Sequence, residues 1–315
     1  MSALGEFRTM AKEAKRSRGA PKVKRKYRDN LAGHLFLAPW IIGIVGFTAG
    51  PILVSLYLAF TDYNLLQPPS FAGVDNFSRM WNDDRLWTSM RVTLEYVFVS
   101  VPILLAMALL VAVVLDKGLR GLPIYRSIFY LPSLMGGSVA IAILWRQVFG
   151  KDGLVNSFLA VFGFDGPGWV AHPDYALGTL IVLNVWTFGS PMIIFLAGLR
   201  QIPDMYYEAA SVDGAGKMRQ FFMITLPLLT PIIFFNLVLQ TIFAFQNFTQ
   251  AYVVSGGTGG PSDSTLFFTL YLYQQAFSRL NMGYASAMAW MLLIVIGLLT
   301  ALHFWLSKYW VFYDD

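Results

Sequence analysis

"LLTPIIFFNLVLQTIFAFQNFTQAYVV", residues 228–254, runs for 27 residues without a charge. As an α-helix it would extend about 40 Å at ~1.5 Å per residue, enough to cross the ~30 Å hydrocarbon core of a bilayer. Five further uncharged runs share this character, at residues 35–60, 96–115, 127–145, 175–199 and 280–307. They are too long for the core helices of soluble domains. A chain of 315 residues that is 56% hydrophobic and 13% charged therefore reads as a polytopic membrane protein rather than two soluble domains. Unpaired backbone amides cost several kcal/mol each in lipid, so the crossings are expected to be helical. The expected fold class is all-α, a polytopic membrane bundle of six transmembrane helices. The chain has no cysteine, which excludes disulfide staples and thiolate metal sites.

Charge placement orients the bundle. Ten of the 23 Lys and Arg lie between positions 8 and 28. With six crossings and a cytoplasmic N-terminus, 17 bases fall inside and 6 outside, as the positive-inside rule requires, and both termini are cytoplasmic. Most of that asymmetry comes from the tail, because the internal loops without it hold 7 bases against 6. Residues 1–30 are too basic, and the apolar run behind them too large, for a cleavable signal peptide. They read as a disordered cytoplasmic arm held near anionic membrane lipid, not as a nucleic-acid-binding segment, since the rest of the chain is bound to lipid.

Between the runs, "NLLQPPSFAGVDNFSRMWNDD" at residues 64–84 reads as turns, and Glu95 as the start of a second helix with an interfacial partner in Arg91. Pro132, Gly136 and Gly137 suggest a bent or closely packed third crossing. The glycines, Pro167 and Trp169 of the 149–174 loop suggest an ordered cap at the membrane boundary.

Inside the opening stretch, Asn236, Gln240, Phe243, Asn247 and Gln250 recur at steps of four, three, four and three, which places all five on one helical face. Four carboxamides against lipid are costly, so that face should look into the bundle or onto a water-filled path. Asn184, Thr187 and Ser190, with Trp186 beside them, make a looser version one helix earlier. Amides bond hydroxyls and aromatic rings pack on the apolar face of a sugar, so a polyol path is one reading. Interhelical hydrogen-bond glue is the other.

Upstream of the opening stretch lies a mixed segment, 200–227, expected in the cytoplasm. Pro203 and Asp204 look like a helix start, Gly214 like its stop, and residues 217–224 like a second short helix that ends near Pro227. Within it, "EAASVDGAGKMRQFFMITLP" (208–227) resembles the EAA signature of binding-protein-dependent ABC importer permeases: E-A-A, three residues, G, nine residues, I, one residue, L-P. The match comprises Glu208, Ala209, Ala210, Gly214, Ile224, Leu226 and Pro227. "FAGVDNF", "YRSIFYLPS" and "FQNFTQAYVVSGGTGGP" are similar to maltose-permease-type subunits of the carbohydrate branch, so the resemblance extends from about residue 31 to the end.

That resemblance implies an inner-membrane permease subunit, residues 31–315, that imports a sugar or oligosaccharide by ATP-driven alternating access. It implies that 200–227 is a coupling loop whose Glu208, Ala209, Ala210 and Gly214 dock on an ATPase. It also implies partners: a second permease subunit, two ATPase chains that bind ATP and Mg, and an extracytoplasmic solute-binding protein. By position it places Asn184, Trp186, Gln240, Phe243 and Asn247 along the substrate path. Ala244 stands where maltose-type relatives have a polar ligand, which leaves the sugar unnamed.

Other classes fit less well. "GAGKM" has Ser211 and Met218 where a Walker loop needs Gly and Ser or Thr, so the chain is not expected to bind ATP itself. The three histidines are far apart in sequence, with no metal-ligand spacing, and no GxSxG motif suggests an enzyme. A secondary transporter would want an internal repeat and a buried carboxylate, and neither is visible.

Overall fold

A computed structural model describes residues 28–118 and 121–312. Of the arm expected to be disordered, residues 1–30, the first 27 lie outside that range, and residues 28–30 are instead the start of a helix. The chain divides into two compact units, the first ending at Ser55 and the second beginning at Leu56.

The first unit holds α1 (Arg28–Ile44), a widened helical turn (Val45–Ala49) and the start of α2 (Gly50–Ala59). The turn is placed by Pro51. A proline ring collides with the carbonyl four residues earlier and offers no N–H, and widening the preceding turn relieves both problems. The Gly50 N–H accordingly reaches back five residues to the Val45 carbonyl.

In the second unit a two-residue strand pair, β1 (Thr61–Asp62) and β2 (Ser70–Phe71), aligns Thr61 with Phe71. α3 (Asp75–Trp81) follows, so the segment expected to be all turns contains a helix. α4 (Asp84–Asp116) is the axis of the unit and packs against α8, α9, α12 and α14, defined below. Its start lies eleven residues before Glu95, because the Asp83 carboxylate caps it by accepting from the Arg85 and Leu86 N–H groups. Arg91 and Glu95 form no ion pair among the described residues. Val97, Val101, Leu104, Ala108, Ala112 and Leu115 recur at helical spacing and are buried, while Leu110 and Val114 on other faces are exposed. Lipid tails are as apolar as leucine, so close packing and hydrogen bonds hold such helices together rather than the hydrophobic effect.

α5 (Leu122–Met135) and α6 (Val139–Val148) meet at 98°, so the third apolar run is sharply broken. α7 (Leu154–Val161) lies in the expected cap. There Asn156 donates to the carbonyls of Lys151 and Pro167 at 2.8 Å and accepts from the Trp169 indole at 2.7 Å. One buried amide thus holds three parts of the loop. α8 (Pro173–Trp186) and α9 (Gly189–Leu199) form a second bent pair, at 41°. Gly189 is required there: a Cβ would strike the Phe129 carbonyl, so only glycine lets α9 press against α5.

α10 (Asp204–Val212) and α11 (Lys217–Gln220) follow, then a second widened turn (Phe221–Thr225) leading without interruption into α12 (Leu226–Phe245). The expected end near Pro227 is therefore corrected. The Leu226 N–H reaches the Phe221 carbonyl, and the wide turn admits Pro227 inside a continuous helix, the same device that precedes Pro51. α13 (Thr249–Val254), α14 (Phe268–Tyr273) and α15 (Met282–Ser307) complete the chain. Among the described residues, four helices can cross a membrane by length and composition, or six when each bent pair counts as one crossing. The all-α polytopic fold is as the sequence indicates.

Candidate functional site

Three of these helices are interrupted, and the interruptions face one space. α5–α6 breaks at Gly136 to Ser138, α8–α9 at Thr187 and Phe188, and α12–α13 at Gln246 to Phe248. A cavity of about 390 Å³ is lined at these places by Gly137, Thr187 and residues 246–249. Non-helical backbone at membrane depth survives where it is buried in protein or lines a water-filled cavity, because its freed polar groups need partners.

Those partners come from neighbouring breaks. The Ser133 hydroxyl accepts from the Ser190 N–H at 2.9 Å and donates to the Thr187 carbonyl at 2.7 Å, joining α5 to the α8–α9 break. The Gln250 amide donates to the Gly136 carbonyl at 2.9 Å, joining α13 to the α5–α6 break. The Thr269 hydroxyl of α14 donates to the Asn247 carbonyl at 2.6 Å. Each freed carbonyl in this set is therefore answered by a side chain.

Four of the five residues assigned to a substrate path line this cavity: Asn184, Gln240, Phe243 and Asn247. Asn184 is held by donating to the Ser100 hydroxyl at 3.0 Å, and Asn247 by donating to the Tyr96 hydroxyl at 2.7 Å. Their amide oxygens have no protein partner among the described residues, and neither does the Gln240 side chain. These groups remain open to a ligand hydroxyl. Phe243 adds a largely exposed ring face. The cavity lining carries no charged side chain.

Trp186 stands apart from the lining. It stacks on Trp145 at 5.9 Å, and Trp145 in turn stacks on Phe149 at 4.9 Å. The single-face reading of residues 236–250 also needs correction, because the helix stops at Phe245 and its regular spacing does not carry through to Asn247 and Gln250. Asn236 is fully buried and donates to its own helix at the Ile232 carbonyl, 3.0 Å away. Sequence reasoning missed Tyr96 and Ser133, whereas the bend expected from Pro132, Gly136 and Gly137 is the α5–α6 break, and Gly137 lines the cavity there.

The segment holding Glu208, Ala209, Ala210 and Gly214 is a compact hairpin. α10 ends at Val212, and two residues on the chain turns at Gly214, whose φ of +74° is a left-handed conformation that glycine adopts without penalty; the Ala215 N–H returns to the Ala210 carbonyl at 2.9 Å. Gln220, buried, donates to the Ser211 hydroxyl and the Ala215 carbonyl at 2.9 and 3.0 Å. The Tyr207 and Thr225 hydroxyls meet at 2.9 Å. Glu208 and Ala209 are exposed on this braced hairpin, as are the apolar side chains of Met205 and Val212.

At the other end of α4, Asp83 accepts hydroxyl bonds from Tyr271 at 2.8 Å and Tyr284 at 2.7 Å, tying three helices together. Burial alone would raise its pKa, but the two hydroxyls and two backbone N–H groups outweigh that and hold the carboxyl below its ordinary range. Arg85 alongside makes a two-pronged pair with Asp263 at 2.6 and 2.9 Å.

Residues 87–310 match the family described as the inner membrane component of binding-protein-dependent transport systems. The chain belongs to that family. This permease is 54% identical over 299 residues to the probable ABC transporter permease protein YesP of Bacillus subtilis, covering 94% of this chain and 97% of the relative. It is 35% identical to the lactose transport system permease protein LacF of Rhizobium radiobacter, covering 91% and 96% of the two chains. It is 33% identical to the arabinooligosaccharides transport system permease protein AraP of Bacillus subtilis, covering 86% of each. Its fold is that of a chain in a bacterial alginate ABC transporter crystallised with its alginate-pentasaccharide-bound periplasmic protein, with a TM-score of 0.78, 21% identity and coverage of 91% and 97%. The permease is thus a multi-pass transport subunit of the inner-membrane class, rather than an enzyme.

Proposed function

We propose that this permease supplies half of the translocation path for a sugar or oligosaccharide, and that Asn184, Gln240, Phe243 and Asn247 meet the substrate there. One observation carries the reading: three helix breaks converge on an uncharged cavity that holds unclaimed amides and an open aromatic face. Discontinuous helices are how transporters build solute sites within the bilayer. A cavity without charge suits hydroxyls, and the lactose and arabinooligosaccharide permeases among its relatives favour a carbohydrate.

In this proposal residues 200–227 form the coupling loop, with both termini cytoplasmic. Glu208, Ala209, Ala210 and Gly214 dock on one of two ATPase subunits, which hold the ATP and Mg. Nucleotide-driven closure moves the hairpin and turns the cavity outward. A second permease subunit forms the other half of the path, and a solute-binding protein delivers sugar from outside.

The test uses the purified transporter complex containing this chain, reconstituted with its binding protein. Gln240→Leu should lower sugar uptake about tenfold, on the order of 1.4 kcal/mol of lost interaction, while ATPase assembly stays intact. Equal loss of uptake and of assembly would show that the amide is packing material and overturn the proposal.

A further inference from the structure

A second cavity, of about 530 Å³, lies away from the polar one, at the C-terminal end of α4. One wall is aliphatic, with Leu110, Val113 and Val114 of α4. Met218 and Phe222, at the start of the rod that becomes α12, form the other. Leu110, Val114, Met218 and Phe222 are 60%, 46%, 71% and 54% exposed, so the trough is open along its length. Lys117 and Lys217 line the same cavity. Neither ammonium has an acidic partner or hydrogen bond among the described residues.

This combination is specific in its chemistry. An apolar trough in a membrane-spanning helix is covered by acyl chains as a matter of course, and any lipid would serve. Two unpaired ammonium groups where the α4 span ends call for an anion at the depth where phosphate headgroups lie. Asp116, beside Lys117, is engaged by Arg200 at 3.5 Å, on another helix end. Both lysines line one cavity, so they belong to one leaflet whichever way the chain is threaded.

We infer that this trough is a binding site for an anionic glycerophospholipid, with an acyl chain between α4 and the 218–222 segment and the headgroup phosphate bridging Lys117 and Lys217. The site is independent of the sugar cavity. It lies against the base of the rod that begins after the Glu208 hairpin, so its occupant touches the segment that joins the hairpin to the sugar cavity.

The experiment is native mass spectrometry on the detergent-purified transporter complex, titrated with phosphatidylglycerol or with phosphatidylcholine of identical acyl chains. Wild type should bind phosphatidylglycerol preferentially. Lys117→Gln with Lys217→Gln should weaken phosphatidylglycerol by roughly 25-fold, fivefold per ammonium near the membrane surface, and leave phosphatidylcholine unchanged. Lys117→Arg with Lys217→Arg should keep the preference. Val113→Trp, which fills the trough, should weaken both lipids. The chain has no cysteine, so a single Val114→Cys carrying a photo-reactive label can report the occupant directly, and it should capture lipid. Equal affinity of wild type for the two lipids, an unchanged preference in the Gln pair, or capture of another subunit by the label would each overturn the inference.

Discussion

Asn247, in the break after α12, donates to the hydroxyl of Tyr96 in α4 at 2.7 Å, across 151 positions of sequence. Tyr96 is itself almost wholly buried. This bond fixes the direction of a cavity amide from a rigid helix, leaving its oxygen to face the open space.

Tyr96→Phe should therefore disturb two properties unequally. Membrane hydrogen bonds average about 0.6 kcal/mol and reach ~1.7, so the loss of stability should be small. The substrate KM should rise more than that figure suggests, because Asn247 is no longer aimed. Thermal unfolding and uptake kinetics on the purified complex, with Asn247→Leu and the double variant completing the cycle, would measure both. A stability loss without any change in KM would refute the orienting role.

Glu208→Ala and Gly214→Val should abolish ATP-driven uptake while membrane insertion continues. The valine would need a left-handed conformation, costing roughly 1–2 kcal/mol, at the turn that sets the shape of the hairpin. Uptake by reconstituted vesicles, alongside the amount of protein inserted, tests the pair. Normal uptake in both variants would remove the coupling role.

Acid stability should depend on Asp83. Its carboxyl is held below the ordinary value of 3.8, so the folded state gains stability at pH above that value and loses it as pH falls through the lower, folded-state pKa. Asp83→Asn should be less stable near neutral pH and should lose this part of the acid dependence. Melting temperature against pH for the two proteins is the measurement, and parallel curves would contradict it.

Gly189→Leu should destabilise the bundle by about 1–3 kcal/mol, the usual cost of overpacking, because the new side chain meets the Phe129 backbone rather than a movable side chain. Denaturation of the purified complex would show it. A neutral effect would mean that α5 and α9 can separate without loss.

Much of this architecture is local and so was readable. Long uncharged runs mark the crossings, and the EAA spacing marks the hairpin that turns at Gly214. Asn184, Gln240 and Asn247 could be picked out as polar groups in apolar surroundings, and Phe243 by its spacing from the amides. The bend at Gly136 and Gly137 was marked locally, but the other breaks were harder to read, because the side chains that answer the freed backbone are distant in sequence. Ser133 is tied to Thr187 and Ser190 across 54 and 57 positions, and Gln250 to Gly136 across 114. Helical spacing assumes an unbroken helix, so it grouped Asn236 with Asn247, although the former bonds its own backbone and the latter lies beyond the end of α12. Pro227 misled for the opposite reason. A proline ordinarily ends a helix, but here a five-residue wide turn absorbs it.

That absorbed proline has a mechanical consequence. Residues 217–245 form one uninterrupted shaft, about 43 Å long at ~1.5 Å per residue, with the hairpin at its foot and the amide-lined break at its head. Under the proposed coupling, a displacement at Lys217 would reach the neighbourhood of Asn247 as translation or roll of the whole piece, since no loop intervenes.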